Sequence, residues 1–222
     1  MTLSNLNFYN PAETTRSPNE AYSRLASDEQ IERTVRALEA NGIRAIVAAN
    51  GEEAKAKLYE LLPAGAEVFT SSSATLSQLG LTDEIDRPDG RYHSVRVRLS
   101  KLDPKTQNRE MQKLGATPEY ILGSVHAVTE AGHVLVASAT GSQLAPYAAS
   151  AAKVIWIAGT QKIVPTFEDA LKRLDEYTLP LEDQRALKVY GVHSGIAKLL
   201  IIRREAMPGR ATMILVKENL GF

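Results

Sequence analysis

The sequence contains no cysteine. That absence removes disulfides, thiolate zinc sites, a nucleophilic thiol and any iron–sulfur cluster ligated by this chain. No cofactor is therefore expected within the chain, and electron transfer would need clusters on partner subunits. Net charge is missing as well. The 26 basic residues balance 26 acidic ones and no Lys/Arg block interrupts the sequence, so nucleic acid is not an expected partner. Long apolar runs are also lacking: Val154–Ala158 and Lys198–Ile202 fall far short of the roughly 20 residues a membrane span needs. The opening MTLSNLNFYNPAETTRSPNE has no charged head before an apolar stretch. No membrane association and a cytoplasmic location are the expectations. The histidines, at 93, 126, 133 and 193, form no HxH, HExxH or i,i+4 pair, so a zinc site is not expected either.

What is present suits a well-packed α/β domain. With 222 residues, 44% of them hydrophobic, the chain can close a core without staples. Residues 1–26, rich in Asn, Thr, Ser and Pro, read as an N-terminal arm, and 27–222 as a single domain. Ser27 and Gln30 have capping-box spacing ahead of a helix whose inner face carries Ile31, Val35 and Leu38, ended by Asn41-Gly42. Ile43–Ala49 reads as a buried strand. A second helix follows from Asn50 to Leu62, and then the strand Glu67–Thr70. Such a strand–helix–strand unit is parallel, and parallel sheets place ligands beyond the carboxyl ends of their strands.

The stretch Thr82–Arg98 is charged and without a period, and reads as a surface loop or short hairpin. Lys105–Leu114 predicts a helix with Pro104 in its first turn. Tyr120–Ser124 returns as a strand. Val125–Thr129 and His133–Ala137 pair around the turn Glu130-Ala-Gly132. An Ala-rich helix is expected over Leu144–Ala152, a central strand over Lys153–Gly159, a helix over Thr166–Tyr177 and a final strand over Ala211–Val216. Alternating strands and helices argue for an α/β fold with a mostly parallel sheet.

Four segments occur in an order that resembles the LUD (lactate utilization) domain family: Thr129-Glu-Ala-Gly132, Ala139-Thr-Gly141, Val154–Gly159 with Gln161-Lys-Ile-Val-Pro165, and Pro208 to Phe222. The resemblance implies a Rossmann-like sheet with flanking helices and a small insertion, similar to ribose-5-phosphate isomerase, glucosamine-phosphate deaminase and the CoA transferases. Many family members follow the Thr-Gly step with Asn-Arg. Ser142-Gln143 stands there in this chain, without that guanidinium.

Candidate site residues follow from residue type and place. Ser71, Ser72, Ser73 and Thr75 lie between an apolar strand and an expected helix, where hydroxyls and free N–H groups can cradle a carboxylate or phosphate; capping of that helix is the plainer role. Thr140, Gly141, Ser142 and Gln143 offer further donors at a second expected helix start, and Gly141 either admits a close approach or merely shapes the turn. Lys162 follows the central strand, as a cation beside a bound anion or as a solvated lysine. Glu130 is the candidate catalytic base or nucleophile, since Thr-Glu-Ala-Gly loosely resembles the turn carrying the catalytic glutamate of CoA transferases; an exposed turn carboxylate is the alternative. His126 and His133 could meet across that turn as an acid–base cluster with Glu130. Tyr190–Gly195 reads as either a functional loop or a plain connection, and its two glycines favour the second.

The family resemblance implies a small-organic-anion-binding component or regulator of lactate utilization. Its ligand would be a small organic acid or phosphorylated compound, and its implied partners iron–sulfur lactate-oxidation subunits. Two other readings stay open: a CoA transferase-like or sugar-phosphate isomerase-like enzyme using Glu130, and a non-catalytic assembly protein. Self-association into a homo-oligomer is open too.

Overall fold

A computed structural model describes residues 17–222. The arm expected over residues 1–26 lies outside the described residues up to Arg16. From there on, Glu20–Ser23 forms a single 3-10 turn capped by Asn19, whose backbone N–H donates to Glu176 O at 2.8 Å.

Ten strands follow in chain order: β1 (Arg44–Ala48), β2 (Glu67–Thr70), β3 (His93–Ser94), β4 (Tyr120–Gly123), β5 (Ala127–Thr129), β6 (Val134–Ser138), β7 (Lys153–Gly159), β8 (Ile163–Val164), β9 (Lys198–Ile202) and β10 (Ala211–Val216). Six form an all-parallel sheet in the order β1-β10-β7-β4-β2-β3, and four a smaller mixed sheet in the order β8-β5-β6-β9. The helices are α1 (Asp28–Ala40), α2 (Gly51–Leu61), α3 (Ala74–Gln78), α4 (Leu81–Ile85), α5 (Val95–Leu99), α6 (Asn108–Ala116), α7 (Phe167–Arg173) and α8 (Leu179–Tyr190). The architecture is the α/β arrangement that the alternation of elements implied, in the Rossmann-like form that the family resemblance implied. None of the helices among the described residues is long and apolar enough to cross a membrane.

The large sheet is buried on both faces, which is why its central strands read as continuous apolar runs. Along β7, Val154, Trp156 and Ala158 face one core with Ile31 and Leu38 of α1, while Ile155 and Ile157 face another with Ala54 and Leu58 of α2. β10 divides the same way, Met213 and Leu215 against Ile214 and Val216. The small sheet joins the first core through Val128, Val134 and Val136. Its other face, with Ala127 and Leu135, packs on Ala170 of α7 and on Leu174.

Local signals set most boundaries. Ser27 and Gln30 form the reciprocal capping box of α1, and Gly42, at φ 79°, ends it. Asn50 caps α2 through the N–H of Glu53. Four expectations need correction. β1 is an edge strand paired only to β10, so its Val47 remains 36% exposed rather than buried. Thr82–Arg98 is not a surface loop: it contains most of α4, the strand β3 and most of α5, and it buries Ile85, Tyr92 and Val95. α6 begins at Asn108, because Asp103 ties up the N–H of Lys105 and the hydroxyl of Thr106 in a turn ahead of it. The Ala-rich stretch is shorter than expected and winds into a π turn over Pro146–Ser150.

Candidate functional site

The carboxyl ends of the parallel strands converge on one cavity of about 780 Å³. Ser71 follows β2, Ser124 follows β4, Lys162 follows β7 and Phe222 lies beyond β10, and all four line it. The small sheet adds His126 and Ser138. The far wall comes from α8 and the segment after it, including Arg185, Tyr190 and His193. Two π turns contribute as well: Tyr147 comes from Pro146–Ser150, and Thr178 ends a second one, Leu174–Thr178, between α7 and α8. Such turns re-aim side chains by widening the helical ladder locally, and they recur at binding sites.

Ser71, Ser72, Ser73 and Thr75 all line the cavity, in different roles. Ser71 extends the β2 ladder, its N–H donating to Leu122 O at 2.8 Å, and its hydroxyl accepts from Tyr147 Oη at 3.0 Å. Ser72 accepts from Arg96 Nη2 at 2.9 Å. Ser73 caps α3 through the N–H of Leu76, the plainer of its two expected roles. Thr75, 1% exposed, donates to Leu220 O at 3.1 Å and accepts from Lys162 Nζ at 3.0 Å.

Lys162 is no solvated lysine. It is 1% exposed, and its Nζ rests on the hydroxyls of Thr75 and Ser124, at 3.0 and 3.1 Å. Burial first, then the neighbouring positive charge of Arg173, hold its pKa well below the ordinary lysine value. Arg173 lies beneath the site, 0% exposed, donating to the carbonyls of His126 and Gln161 and at 3.0 Å to Thr178, with its guanidinium 5.0 Å from the Tyr177 ring. Burial lowers it to about 10, so it stays charged at neutral pH. Next to both cations, His126 accepts the N–H of Ala137 on Nδ1 at 3.0 Å, which leaves the proton of the neutral ring on Nε2. Desolvation, reinforced by Lys162 and Arg173, drops its pKa to about 3.

Thr140, Ser142 and Gln143 also reach the cavity; Gly141 does not line it. Their polar groups are turned on one another. The Gly141 N–H donates to Ser138 Oγ at 2.8 Å, and Gln143 Oε1 accepts from Ser138 and Ser142. Gly141 therefore shapes a turn at φ 86°.

Glu130 stands apart from the cavity. Its carboxylate accepts from Gln30 Nε2 at 2.9 Å and Arg33 Nε at 2.7 Å, tying the β5–β6 turn to α1. The Arg33 hydrogen bond holds it below the usual carboxylate range. Nor do the two histidines meet there. The register, Ala127 to Leu135 and Val128 to Val134, sets His126 and His133 toward opposite ends of the hairpin.

Arg96, Ser124 and the α8 wall carried no signal as site residues in the sequence. Arg96 brings a guanidinium to the cavity from α5: its Nε donates to Thr70 O at 2.7 Å and Nη2 to Ser72, its Cζ lies 5.3 Å from the centre of the Phe69 ring, and desolvation lowers its pKa. Asp86 nearby accepts from Thr70 Oγ1 and Ser94 Oγ at 2.5 and 2.6 Å. Across the cavity, His193 Nδ1 pairs with Asp183 at 2.9 Å, so Tyr190–Gly195 is a wall rather than a plain connection.

Gly123 makes the Ser71–Tyr147 pair possible. A Cβ there would sit 1.8 Å from Tyr147 Oη and 2.1 Å from Ser71 Oγ. Tyr147 is also held by its edge contact with Trp156, centroids 5.5 Å apart, so it cannot swing away cheaply. Gly123→Ala is expected to cost about 1–3 kcal/mol by overpacking and to break that hydrogen bond. Chemical denaturation of the variant measures this, and a loss below about 0.5 kcal/mol would mean the site yields freely.

The LUD domain family model matches residues 31–216. Among solved structures, a DUF162 family protein from Deinococcus radiodurans is similar with a TM-score of 0.52 and 11% sequence identity, over 87% of this chain and 99% of that one. At that identity the likeness speaks for the fold. No curated protein matches.

Proposed function

This chain belongs to the LUD domain family, and from that premise we propose that it is a lactate-utilization-related protein whose cavity binds a small organic anion. One observation carries the reading: beyond the carboxyl ends of the sheet, the Arg96 guanidinium and the hydroxyls of Ser71 to Thr75 share one cavity of about 780 Å³. That volume lies within the usual range for small-molecule sites, about 300–1,000 Å³. A half-buried guanidinium facing hydroxyls suits a carboxylate or a phosphate, because charge-assisted hydrogen bonds strengthen where water is scarce. Lys162 adds an N–H donor deeper in the cavity, with no ion-pair partner among the described residues. The guanidinium missing after the Thr-Gly step is thus matched by one from a different element.

The test is a thermal-shift panel of lactate, other hydroxy acids, dicarboxylates and sugar phosphates. A ligand at 100 times its Kd should stabilise the fold by about 2.7 kcal/mol, a rise of several degrees in Tm. Arg96→Ala should remove that rise. If no compound shifts Tm while the chain captures iron–sulfur lactate-oxidation subunits, the assembly reading replaces this one.

A further inference from the structure

Outside any role in holding an anion, the cavity floor contains a hydroxyl and an amine in direct contact. We propose that Ser124 is a nucleophile and Lys162 its general base, and that this pair transfers acyl groups from short esters or thioesters of small carboxylic acids. The inference rests on the reading of the cavity as a ligand site and adds the reaction performed there.

The geometry comes first. Lys162 Nζ lies 3.1 Å from Ser124 Oγ and 3.0 Å from Thr75 Oγ1, and Thr75 Oγ1 lies 3.1 Å from Leu220 O. These are the three shortest contacts of the cluster. The alternatives, Thr75 to Ser124 and Ser124 to Val125 O, are longer, at 3.2 and 3.4 Å. A carbonyl can only accept, so the Thr75 proton goes to Leu220 and the Thr75 oxygen accepts from the lysine. Lys162 Nζ also donates to Ser124 Oγ at 3.1 Å, so once the amine is neutral its lone pair lies within hydrogen-bond reach of the Ser124 hydroxyl proton.

Three features favour the neutral amine this arrangement needs. The lysine is 1% exposed, no carboxylate pairs with it among the described residues, and Arg173 lies beneath it as a second buried cation. Ser124 and Thr75 both line the cavity, but Ser124 is part-exposed whereas Thr75 is 1% exposed and packed against Leu220 and Gly221. The serine is therefore the hydroxyl that a substrate reaches, and the threonine positions the base.

In the step itself, Ser124 Oγ attacks the acyl carbon while its proton passes to Lys162 Nζ. The bond from the acyl carbon to the leaving oxygen or sulfur breaks, and the lysine ammonium returns the proton to that atom. An acyl-Ser124 ester remains. Water then gives a proton to Lys162 and attacks the ester, and Ser124 leaves with the proton. The sum is ester or thioester plus water giving acid plus alcohol or thiol, with no redox change. General-base assistance of this kind is worth about 10²–10⁴-fold in rate.

The experiment uses the full chain with p-nitrophenyl acetate and acetyl and succinyl thioesters, read by intact mass and peptide mapping. The expected result is one acyl increment at Ser124, absent in Ser124→Ala. Acylation should be about 100-fold slower or worse in both Lys162→Met and Lys162→Arg. The arginine variant retains a cation and donors but cannot accept a proton, so its failure separates a base from an anion-binding charge. In the unaltered protein the rate should level off at a pH well below the ordinary lysine range, and in Lys162→Met it should keep rising with hydroxide. Melting curves identify variants that do not fold, and Glu130→Gln, outside the cavity, should acylate normally. Acylation spread over several hydroxyls, or unchanged in Lys162→Arg, overturns the proposal. So does a complete lack of adduct, and if anions still raise Tm in that case the binding reading stands without it. An adduct at Ser124 with no anion stabilisation supports the pair and removes the anion reading alone.

Discussion

Replacing Arg210 by Ala is expected to destabilise the fold by about 3–5 kcal/mol, the cost of breaking a buried ion pair from one side. Arg210 is 4% exposed and joins three segments. Its Nε donates to Ala151 O at 3.0 Å, Nη2 donates to Pro146 O and Tyr147 O at 2.7 and 3.1 Å, and Nη1 pairs with Glu205 at 2.6 Å. Truncation strands a carboxylate only 10% exposed and removes the donor from three carbonyls around the π turn. That turn carries Tyr147, so anion binding should weaken as well. Lysine should rescue little, since one ammonium cannot reproduce the fork. Urea unfolding measures the loss, and a change under about 1 kcal/mol would show that the turn does not depend on this side chain.

Acid should unfold the protein through His126. Its pKa is about 3 in the folded state against an ordinary 6.5, so between those values the unfolded chain binds more protons than the native one. Stability therefore rises with pH across this window, is fully present above about 6.5 and drains away as pH falls toward about 3. The ring faces the cavity, where water screens part of the penalty, so the contribution is on the order of 3 kcal/mol. Replacing His126 by Asn, which keeps an acceptor for the Ala137 N–H without a titrating ring, should flatten the stability profile between about pH 3 and pH 6.5. An unchanged profile would show that another group carries the acid sensitivity.

The element pattern was legible where one element decides its own form. Ser27 and Gln30 announce α1, and Asn50 announces α2, because a cap is a contact over three residues. Lys153–Gly159 and Ala211–Val216 read as strands because both faces of the sheet are covered, so every side chain after Lys153 is apolar or small enough to bury. Between Thr82 and Arg98 the same reasoning failed. Five-residue helices and a two-residue strand complete no hydrophobic period, and two of the charges that suggested a loop are tied to β2, part-buried Arg96 on Thr70 and surface Arg98 on Glu67. Arg96 was lost to view with that segment. Glu130 drew notice through a motif, and its partners Gln30 and Arg33 lie about a hundred residues earlier, at separations of 100 and 97.

Cysteine-free composition, balanced charge, the α/β pattern and the family motifs are properties of the sequence by itself, since each depends on residue identity or on neighbours a few positions away. The loops at the ends of parallel strands were likewise marked as the place for a ligand. Which of their residues meet there was decided only by tertiary structure. Parallel crossovers bring Ser71, Arg96, Ser124 and Lys162 to one cavity from four separate connections, and they turn Glu130 toward α1. The same closure removes water from Lys162, and the ionisation of a buried lysine depends on what surrounds it in space, which no stretch of sequence around Gln161-Lys162 records.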